Sequence, residues 1–440
     1  MKMTLLDLTP TARRSPQLDT LPIAIIGAGP IGLAAAAHLV ERGIDFVVFE
    51  AGETVASSMA AWRHIRLFSP WEHLVDPAAR RLLEQTGWTE PTAGAAPYAA
   101  ELIDDYLLPL AGIEAIASRV NTGVEVASVT REGMDRTRSA GRATTPFILR
   151  LRESGSVTEV LARAVIDGSG TYRNPNSLGS NGLEPLGLEE VAAQVSHALP
   201  DVLGAERDRF AGRHTVVVGA GHSAANTLID LAELARQAEG TRVTWAIRNA
   251  RAGRVSASTD DELSARASLG ARMERLVASG AVTMVDGFEI VRLAKAEGGV
   301  SLIGTRHGGI ETLTADVVVN ATGFRPDLAM LREVRLDLDE VVEAPRRLAP
   351  LIDPNVHSCG TVEPHGFAEL EQPEPNFFIA GMKSYGRAPT FLLATGYEQV
   401  RSITAWLAGD LGAAGTVQLV LPATGVCSTD SAPSGGSCCS

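Results

Sequence analysis

The sequence has very few cysteines. Cys359, Cys427, Cys438 and Cys439 are the four cysteines of the 440 residues, and no Cys-x-x-Cys pair occurs. So few cysteines exclude a disulfide-framed fold and favour a reducing, cytoplasmic compartment. The missing motif also excludes an internal redox dithiol of the Cys-x-x-Cys type.

Positive charge and long apolar runs are scarce as well. Acidic residues outnumber basic ones by 52 to 39, the net charge is −13, and no segment is rich in Lys and Arg. Nucleic acid is therefore not an expected partner, because its recognition needs a basic face. Residues 1–16 lack the apolar core of a secretion signal. Residues 21–40 lack Asp, Glu, Lys and Arg, but their Gly and Pro content favours a buried strand and turn over a membrane span.

The first glycine-rich turn follows an apolar run at residues 22–26. Gly27, Gly29 and Gly32 have G-x-G-x-x-G spacing. The first glycine permits a tight turn, the second lets the backbone approach a pyrophosphate, and the third lets the following helix pack closely on the strand. We expect that helix over residues 31–42, with its first N–H groups directed at phosphate.

An acidic residue ends the next predicted strand, residues 46–49. Glu50 lies 23 residues after Gly27. A carboxylate at this position can accept hydrogen bonds from both hydroxyl groups of an adenosine ribose. Strand, turn, helix, strand and terminal Glu together predict a site for an adenine dinucleotide without a 2′-phosphate.

A second turn of the same kind follows the apolar run at residues 215–218. Its small residues are Gly219, Gly221 and, in place of the third glycine, Ala224. A helix is expected over residues 223–238 and a strand over residues 243–247. This second unit predicts a second dinucleotide site.

The second unit ends on a basic residue where the first ends on an acid. Arg248 follows the strand, and Arg251 and Arg254 come close behind. A guanidinium can bind a ribose 2′-phosphate through two parallel hydrogen bonds, whereas a carboxylate would repel it. We therefore expect FAD at the first turn and NADPH at the second, with electrons passing between them.

Two further strands predict crossings between domains. Residues 164–166 precede Asp167-Gly-Ser-Gly, and residues 317–320 precede Ala321-Thr-Gly-Phe, which contains Gly323. The second glycine turn lies between these crossings. Near the end, a strand over residues 376–380 stops at Gly381, and a helix over residues 390–408 is expected to direct its N terminus towards the flavin.

These signals predict an α/β protein with two Rossmann-like domains, in which an NADPH domain is inserted into an FAD domain. The expected boundaries are an N-terminal extension at 1–20, the FAD domain at 21–170 and 320–412, the NADPH domain at 171–319, and a flexible cysteine-containing tail at 413–440.

The chain resembles the two-dinucleotide flavoproteins, which include flavin-containing monooxygenases, N-hydroxylating monooxygenases and thioredoxin-reductase-like enzymes. The resemblance rests on Gly27, Gly29 and Gly32 with Glu50, on Gly219, Gly221 and Ser223 with Arg248, and on the Ala-Thr-Gly-Phe segment at 321–324. It implies FAD and NADPH as cofactors and allows a homodimer.

Two segments are candidates for the substrate site. The aromatic and cationic stretch at 62–71 contains Trp62, His64, Arg66 and Ser69, in the region where this family lines its flavin pocket. It is either a pocket wall or a domain-packing loop. The adjacent Cys438 and Cys439 resemble the vicinal thiols that handle soft metals in some relatives, and are otherwise an inert end.

The resemblance leaves three functions open. The first is a monooxygenase that uses molecular oxygen on a soft heteroatom (S, N or metalloid) of a small-molecule substrate. The second is a reductase of a disulfide, quinone or thiophilic ion, acting through Cys438 and Cys439. The third is a redox sensor. Neither a metal site nor a conventional acid–base dyad is predicted, because the cofactors carry the chemistry.

Overall fold

The computed structural model describes residues 18–248, 264–353, 362, 364–389 and 391–419. In chain order its strands are β1 (Ile23–Ile26), β2 (Phe46–Phe49), β3 (Val120–Asn121), β4 (Glu125–Arg131), β5 (Phe147–Glu153), β6 (Ser156–Ala162), β7 (Ala164–Asp167), β8 (Val195–Ser196), β9 (His214–Val218), β10 (Arg242–Ala246), β11 (Thr283–Val285), β12 (Glu289–Ala296), β13 (Gly299–Arg306), β14 (Gly309–Ala315), β15 (Val317–Asn320) and β16 (Phe377–Ile379).

Its α-helices include four longer ones that flank the sheets and several single turns. They are α1 (Pro30–Glu41), α2 (Ser57–Ala60), α3 (Pro77–Glu84), α4 (Ala99–Leu102), α5 (Leu108–Ala111), α6 (Glu114–Ala117), α7 (Arg207–Phe210), α8 (His222–Gln237), α9 (Ser264–Ala278), α10 (Ala349–Ile352), α11 (Phe367–Leu370), α12 (Leu393–Leu407) and α13 (Leu411–Gly415).

The first parallel sheet has the strand order β16-β7-β1-β2-β3. Its central strand β1 is fully buried and pairs with β2 and β7 in parallel, so that Ile23 faces Phe46 on one side and Ala164 on the other. An antiparallel meander, β4-β5-β6, connects β3 to β7. This arrangement places the turn after β1 at the carboxyl edge of the sheet, where dinucleotides bind in such folds.

The second parallel sheet repeats the design with the order β11-β10-β9-β15-β8, and its own meander is β12-β13-β14. All of its strands lie in the chain between β7 and β16 of the first sheet. The second Rossmann-like domain is therefore an insertion in the first, as the sequence predicts.

Helix α1 is buried between its sheet and helices α3 and α12. Residues 34–37 of α1 are all alanine with no exposed surface, which lets neighbouring helices approach closely. Within the described part of the chain, no helix has the length and apolarity needed to cross a membrane.

The expectation that the chain is flexible from Ala413 onward is wrong for the first residues of that segment. Helix α13 extends to Gly415, and the Arg401 guanidinium on α12 donates hydrogen bonds to the carbonyls of Ala413 and Thr416. Glu398, which is paired with Arg401, accepts a hydrogen bond from the backbone N–H of Gln418. A buried ion pair thus fixes residues whose composition alone indicates a mobile tail.

Candidate functional site

The first glycine turn has the geometry that its spacing predicts. Gly27 has a φ of 95°, which is in the left-handed region that favours glycine. A Cβ on Gly32 would lie 1.8 Å from the carbonyl oxygen of Gly27, so this position excludes any side chain. A Cβ on Gly29 would meet no heavy atom of the described residues within 4 Å. The space beside Gly29 is what a pyrophosphate needs.

Glu50 is buried and connects this turn to the loop after β2. Its carboxylate accepts hydrogen bonds from the backbone N–H of Ala28 at 2.9 Å, the backbone N–H of Gly52 at 2.8 Å and the hydroxyl of Ser57 at 2.8 Å. A carboxylate offers about four acceptor sites, so capacity remains for a ligand hydroxyl. Glu50 therefore orders the turn in addition to any contact with a ribose.

A cleft of about 310 Å³ lies along the turn after β1. Glu50 and the apolar side chains of Val124 and Val126 form one part of its wall, and Gly27, Ser169 and Lys383 form another. Apolar walls with a few directed polar groups are typical of cofactor sites. The open space at Gly29, the carboxylate and this cleft fit the adenosine diphosphate part of FAD.

The second glycine turn has the same construction. Gly219 has a φ of 135°, and a Cβ there would lie 2.0 Å from the carbonyl oxygen of Ala321. A Cβ on Gly221 would meet no heavy atom of the described residues within 4 Å. Ser223, in the first turn of α8, follows this open space, and Ala224 is buried against the sheet. The turn has room for a second pyrophosphate, which fits NADPH.

Arg248 follows β10 and is exposed. Its Nη1 donates a hydrogen bond to the Ser180 carbonyl at 2.9 Å, which holds the guanidinium near the end of the strand. The remaining N–H groups of the guanidinium are available for a phosphate. Arg251 and Arg254, the other predicted cations, lie outside the described residues.

The two crossing segments pair with each other. The backbone N–H of Asn176 donates a hydrogen bond to the Gly323 carbonyl at 2.9 Å. The Asn174 carbonyl accepts a hydrogen bond from the N–H of Arg325 at 3.0 Å. These bonds join the segment that leaves the first domain to the segment that returns to it. They therefore bring the carboxyl ends of β7, in the first sheet, and of β15, in the second sheet, into one region.

Part of the segment at 62–71 lies between the two domains. The Trp62 and Tyr172 ring centroids are 6.4 Å apart, and the Phe68 and His222 centroids are 5.1 Å apart. His222 is the first residue of α8, next to the second glycine turn. The segment thus contacts the crossing that follows β7 and also the start of the NADPH-domain helix.

Tyr172 is the centre of an aromatic cluster. Its ring centroid lies 4.7 Å from that of His197 and 5.2 Å from that of Phe324. Burial, together with the charge of Glu206, raises the pKa of Tyr172 to about 12, so its hydroxyl keeps its proton at neutral pH. Sequence reasoning overlooked Tyr172, although it lies only two residues after Gly170, in the segment that follows β7.

The other predicted pocket residues separate into different environments. The Nε2 atom of His64 is buried and has no hydrogen-bond partner among the described residues. Arg66 is exposed, and it donates a hydrogen bond to the Ala96 carbonyl and lies over the Tyr98 ring. Ser69 is partly buried. The predicted Cys438 and Cys439 lie outside the described residues.

Gly381 directly follows β16 and has a φ of 70°. Its N–H donates a hydrogen bond to the buried Gln399 side chain on α12, and a Cβ here would lie 2.7 Å from Ile31 at the start of α1. The turn after β16 is therefore held against the first glycine turn. Lys383, two residues later, lines the cleft described above and was not predicted.

Comparison with known proteins gives relatives of several activities. The ferredoxin–NADP reductase of Granulibacter bethesdensis is 27% identical over 342 residues, which are 77% of this chain and 80% of that protein. The indole-3-pyruvate monooxygenase YUCCA6 of Arabidopsis thaliana is 28% identical over 214 residues, 48% of this chain and 45% of that protein.

A solved structure gives the same fold. The bacillithiol disulfide reductase of Bacillus cereus superposes with a TM-score of 0.65 at 22% identity, covering 89% of this chain and 99% of that chain. The family model described as pyridine nucleotide-disulphide oxidoreductase matches residues 24–358. The chain is thus a two-dinucleotide flavoprotein oxidoreductase that uses FAD and NAD(P)H, and it belongs to the pyridine nucleotide-disulphide oxidoreductase family.

Proposed function

We propose that the chain is an NADPH-dependent FAD monooxygenase that oxygenates a soft heteroatom, sulfur, nitrogen or a metalloid, of a small molecule. In this proposal FAD binds at the Glu50 cleft of the domain formed by residues 21–170 and 320–412. NADPH binds at Arg248 in the domain of residues 171–319. The overall reaction consumes NADPH, a proton, O₂ and the substrate, and yields NADP⁺, water and the oxygenated substrate.

The observation that carries this proposal is the aromatic wall between the domains, formed by Trp62, Phe68, Tyr172, His197 and Phe324. Its rings contact one another or the start of α8, with centroid separations of 4.7 to 6.4 Å. Four of the five rings are partly buried, and His197 is exposed. An oxygen-activating flavoprotein must keep water from its reaction centre, and partly buried aromatic rings between the domains support that role. The similarity to a plant monooxygenase over 48% of the chain also supports oxygen chemistry.

In this scheme the residues of the chain bind and orient FAD, NADPH and the substrate. Glu50 would hold the adenosine ribose of FAD, and Arg248 would hold the 2′-phosphate of NADPH. FAD, when bound, supplies hydride acceptance and reaction with oxygen. The Nε2 atom of His64, two residues after Trp62, is buried and has no hydrogen-bond partner among the described residues, and in this proposal it contacts the substrate.

A second candidate function is reduction of a disulfide or a thiophilic ion. The adjacent Cys438 and Cys439 favour it, because neighbouring thiolates bind thiophilic ions and can form a disulfide with each other. In this case electrons would reach the acceptor through the two thiols rather than through oxygen.

Oxygen stoichiometry separates the two candidates. Purified full-length protein would be given NADPH together with a thioether, a primary amine or arsenite, and NADPH oxidation, oxygen uptake and peroxide release would be measured. The proposal expects one O₂ consumed per NADPH, little peroxide with the correct substrate, and one ¹⁸O atom from ¹⁸O₂ in the product.

The tail cysteines provide the matched control. The variant C438S/C439S should keep the oxygen-dependent turnover of the wild-type protein. Turnover that proceeds equally well without oxygen, and that C438S/C439S abolishes, would replace the monooxygenase with the reductase. Protein purified without bound flavin, and unable to take up added FAD, would contradict both.

A further inference from the structure

Lys383 is a buried cation on the wall of the FAD cleft. Its side chain is 1% exposed, and its Nζ atom donates hydrogen bonds to Asp167 Oδ2 at 2.7 Å and to Ser169 Oγ at 3.1 Å. An ammonium group has three N–H donors. The third donor of Lys383 has no acceptor among the described residues, and the side chain lines the cleft.

Parallel pairing at the sheet edge puts this lysine in place. Strand β16 pairs with β7 so that Ile379 faces Asp167, and the N–H of Ala380 donates to the Asp167 carbonyl. The loops after the two strands therefore emerge side by side. A Cβ on Gly27 would lie 2.9 Å from the Cα atom of Ser169, so the same corner touches the first glycine turn.

An anionic ligand in this cleft needs a cation close to it, because carboxylates outnumber cations on the cleft wall. Its wall contains three carboxylates, of Glu50, Glu125 and Asp327, against the two cations of Arg173 and Lys383. Arg173 is exposed, whereas Lys383 is buried. A diphosphate brings two further negative charges, and a buried ammonium with a free donor can stabilise them more strongly than a solvated one.

A purely structural role explains this position poorly. The chain has only three lysines, Lys2, Lys295 and Lys383, among its 39 basic residues. A buried ion pair contributes little net stability, and apolar residues of similar size can replace it without loss. Asp167 also accepts hydrogen bonds from the N–H and the hydroxyl of Ser169. These bonds hold the carboxylate in place and so direct the ammonium.

We propose that Lys383 is a cofactor-binding residue whose free N–H is donated to the diphosphate of FAD, with Asp167 and Ser169 as its positioning residues. This inference rests on the assignment of FAD to the Glu50 cleft. It extends that assignment to a residue that no glycine motif contains.

The test measures dissociation constants of full-length protein from which flavin has been removed. K383M alone would leave Asp167 buried without its partner, so the main variant is K383M/D167N, which removes both charges together. Its Kd for FAD should rise about 10- to 100-fold, the usual effect of losing a charge-assisted hydrogen bond. K295M, which alters an exposed lysine on β12, is the control and should bind FAD as the wild type does.

Fragments of FAD locate the contact. The Kd for ADP should rise in K383M/D167N by about the same factor as that for FAD, while weak binding of riboflavin, which has no phosphate, should not change. K383R keeps the charge and N–H donors and should bind FAD more tightly than K383M/D167N does, which provides a second test if the double variant folds poorly.

The outcomes are distinguishable from those of the proposed function. Wild-type affinity for FAD and ADP in folded K383M/D167N would overturn the role of Lys383 alone. Equal weakening of riboflavin and ADP would also overturn it, because it would indicate a general loss of structure. Wild-type protein that binds neither FAD nor ADP would instead contradict the cofactor assignment itself.

Discussion

Replacing Arg248 by alanine should change which nicotinamide cofactor the protein prefers. The guanidinium lies after β10, where the first domain has Glu50, and it is held by one hydrogen bond to the Ser180 carbonyl at 2.9 Å. A 2′-phosphate would take up two of the remaining N–H groups. A hydrogen bond to a charged group contributes roughly 1.5–3 kcal/mol. Because Arg248 is exposed and solvent weakens its interactions, we take this range as the total for its two hydrogen bonds to the phosphate. This corresponds to about 10- to 100-fold.

The assay is anaerobic stopped-flow reduction of the bound flavin, followed by its visible absorbance at increasing nucleotide concentration. For R248A, the second-order rate constant with NADPH should fall about 10- to 100-fold, while the rate constant with NADH, which has no 2′-phosphate, should change less than about twofold. R242A is the matched control, since Arg242 is an exposed arginine at the opposite end of the same strand.

Two results would refute the reasoning. If R248A reacts with NADPH as fast as the wild type does, the 2′-phosphate does not bind at Arg248. If R248A slows NADPH and NADH equally, Arg248 supports the shape of the domain rather than recognition of the phosphate. Increasing salt should reduce the wild-type preference for NADPH, because an exposed charge pair is screened.

Four further variants test the FAD site and the stability of the second domain. E50Q removes one acceptor of the carboxylate that holds Ala28, so the Kd for FAD, measured by flavin fluorescence, should rise at least about tenfold; an unchanged Kd would contradict this. G32A should give unstable protein, since its Cβ would lie 1.8 Å from the Gly27 oxygen, whereas G29A should keep the melting temperature and lose FAD. Asp230 lies on α8 in the second domain. Burial, opposed by the charge of Arg272 and reinforced by that of Asp201, raises the pKa of Asp230 to about 6. Because the folded protein holds this carboxyl with a raised pKa, its free energy of unfolding falls as pH rises from about 4 to about 6. In urea denaturation D230N should therefore be more stable than the wild type at pH 8, by up to roughly 3 kcal/mol, and equally stable at pH 4.

Local rules explain why the two dinucleotide turns could be predicted. The glycine spacing, the apolar strand before it and the charged residue after the next strand all lie within about 30 residues of sequence, so each constraint is visible in one segment. The expected helices at 31–42 and 223–238 are Pro30–Glu41 and His222–Gln237 in the structure. The insertion of one domain in the other follows from the same reasoning, because strands of one sheet flank the other in sequence.

The residues that sequence reasoning missed depend on contacts between distant segments. Lys383 lies 216 positions from Asp167 and meets it only because β16 pairs with β7. Tyr172 meets His197 and Phe324 because two crossings and the strand β8 converge. No local pattern marks such residues. The scarcity of lysine in this chain could have pointed to Lys383 as a residue with a specific role. For Tyr172 the sequence offered only its position two residues after Gly170.

The fixed part of the C-terminal segment illustrates a different limit. Residues 413–419 have the small and polar composition of a flexible end, and composition was the basis for the prediction. Their order comes instead from Arg401 and Glu398, a pair on α12 that is almost fully buried. Arg401 and Glu398 bind backbone carbonyl and N–H groups, which every sequence has. The residue types at 413–419 therefore could not predict that this segment is ordered.

The repeated design separates cofactor choice from substrate choice. Both domains use a parallel sheet, a glycine turn and an open space beside the second glycine, and they differ where Glu50 in one corresponds to Arg248 in the other. That one reversal of charge is the basis on which we propose FAD for the first domain and NADPH for the second. The aromatic wall belongs to neither repeat, since it is built from the segment at 62–71, the two crossings and the residue after β8. Substitutions in the glycine turns should therefore alter cofactor binding for every substrate alike. Under the proposed monooxygenase function, substitutions at Trp62 or Tyr172 should change which small molecule is oxygenated and how much peroxide escapes, with flavin binding retained.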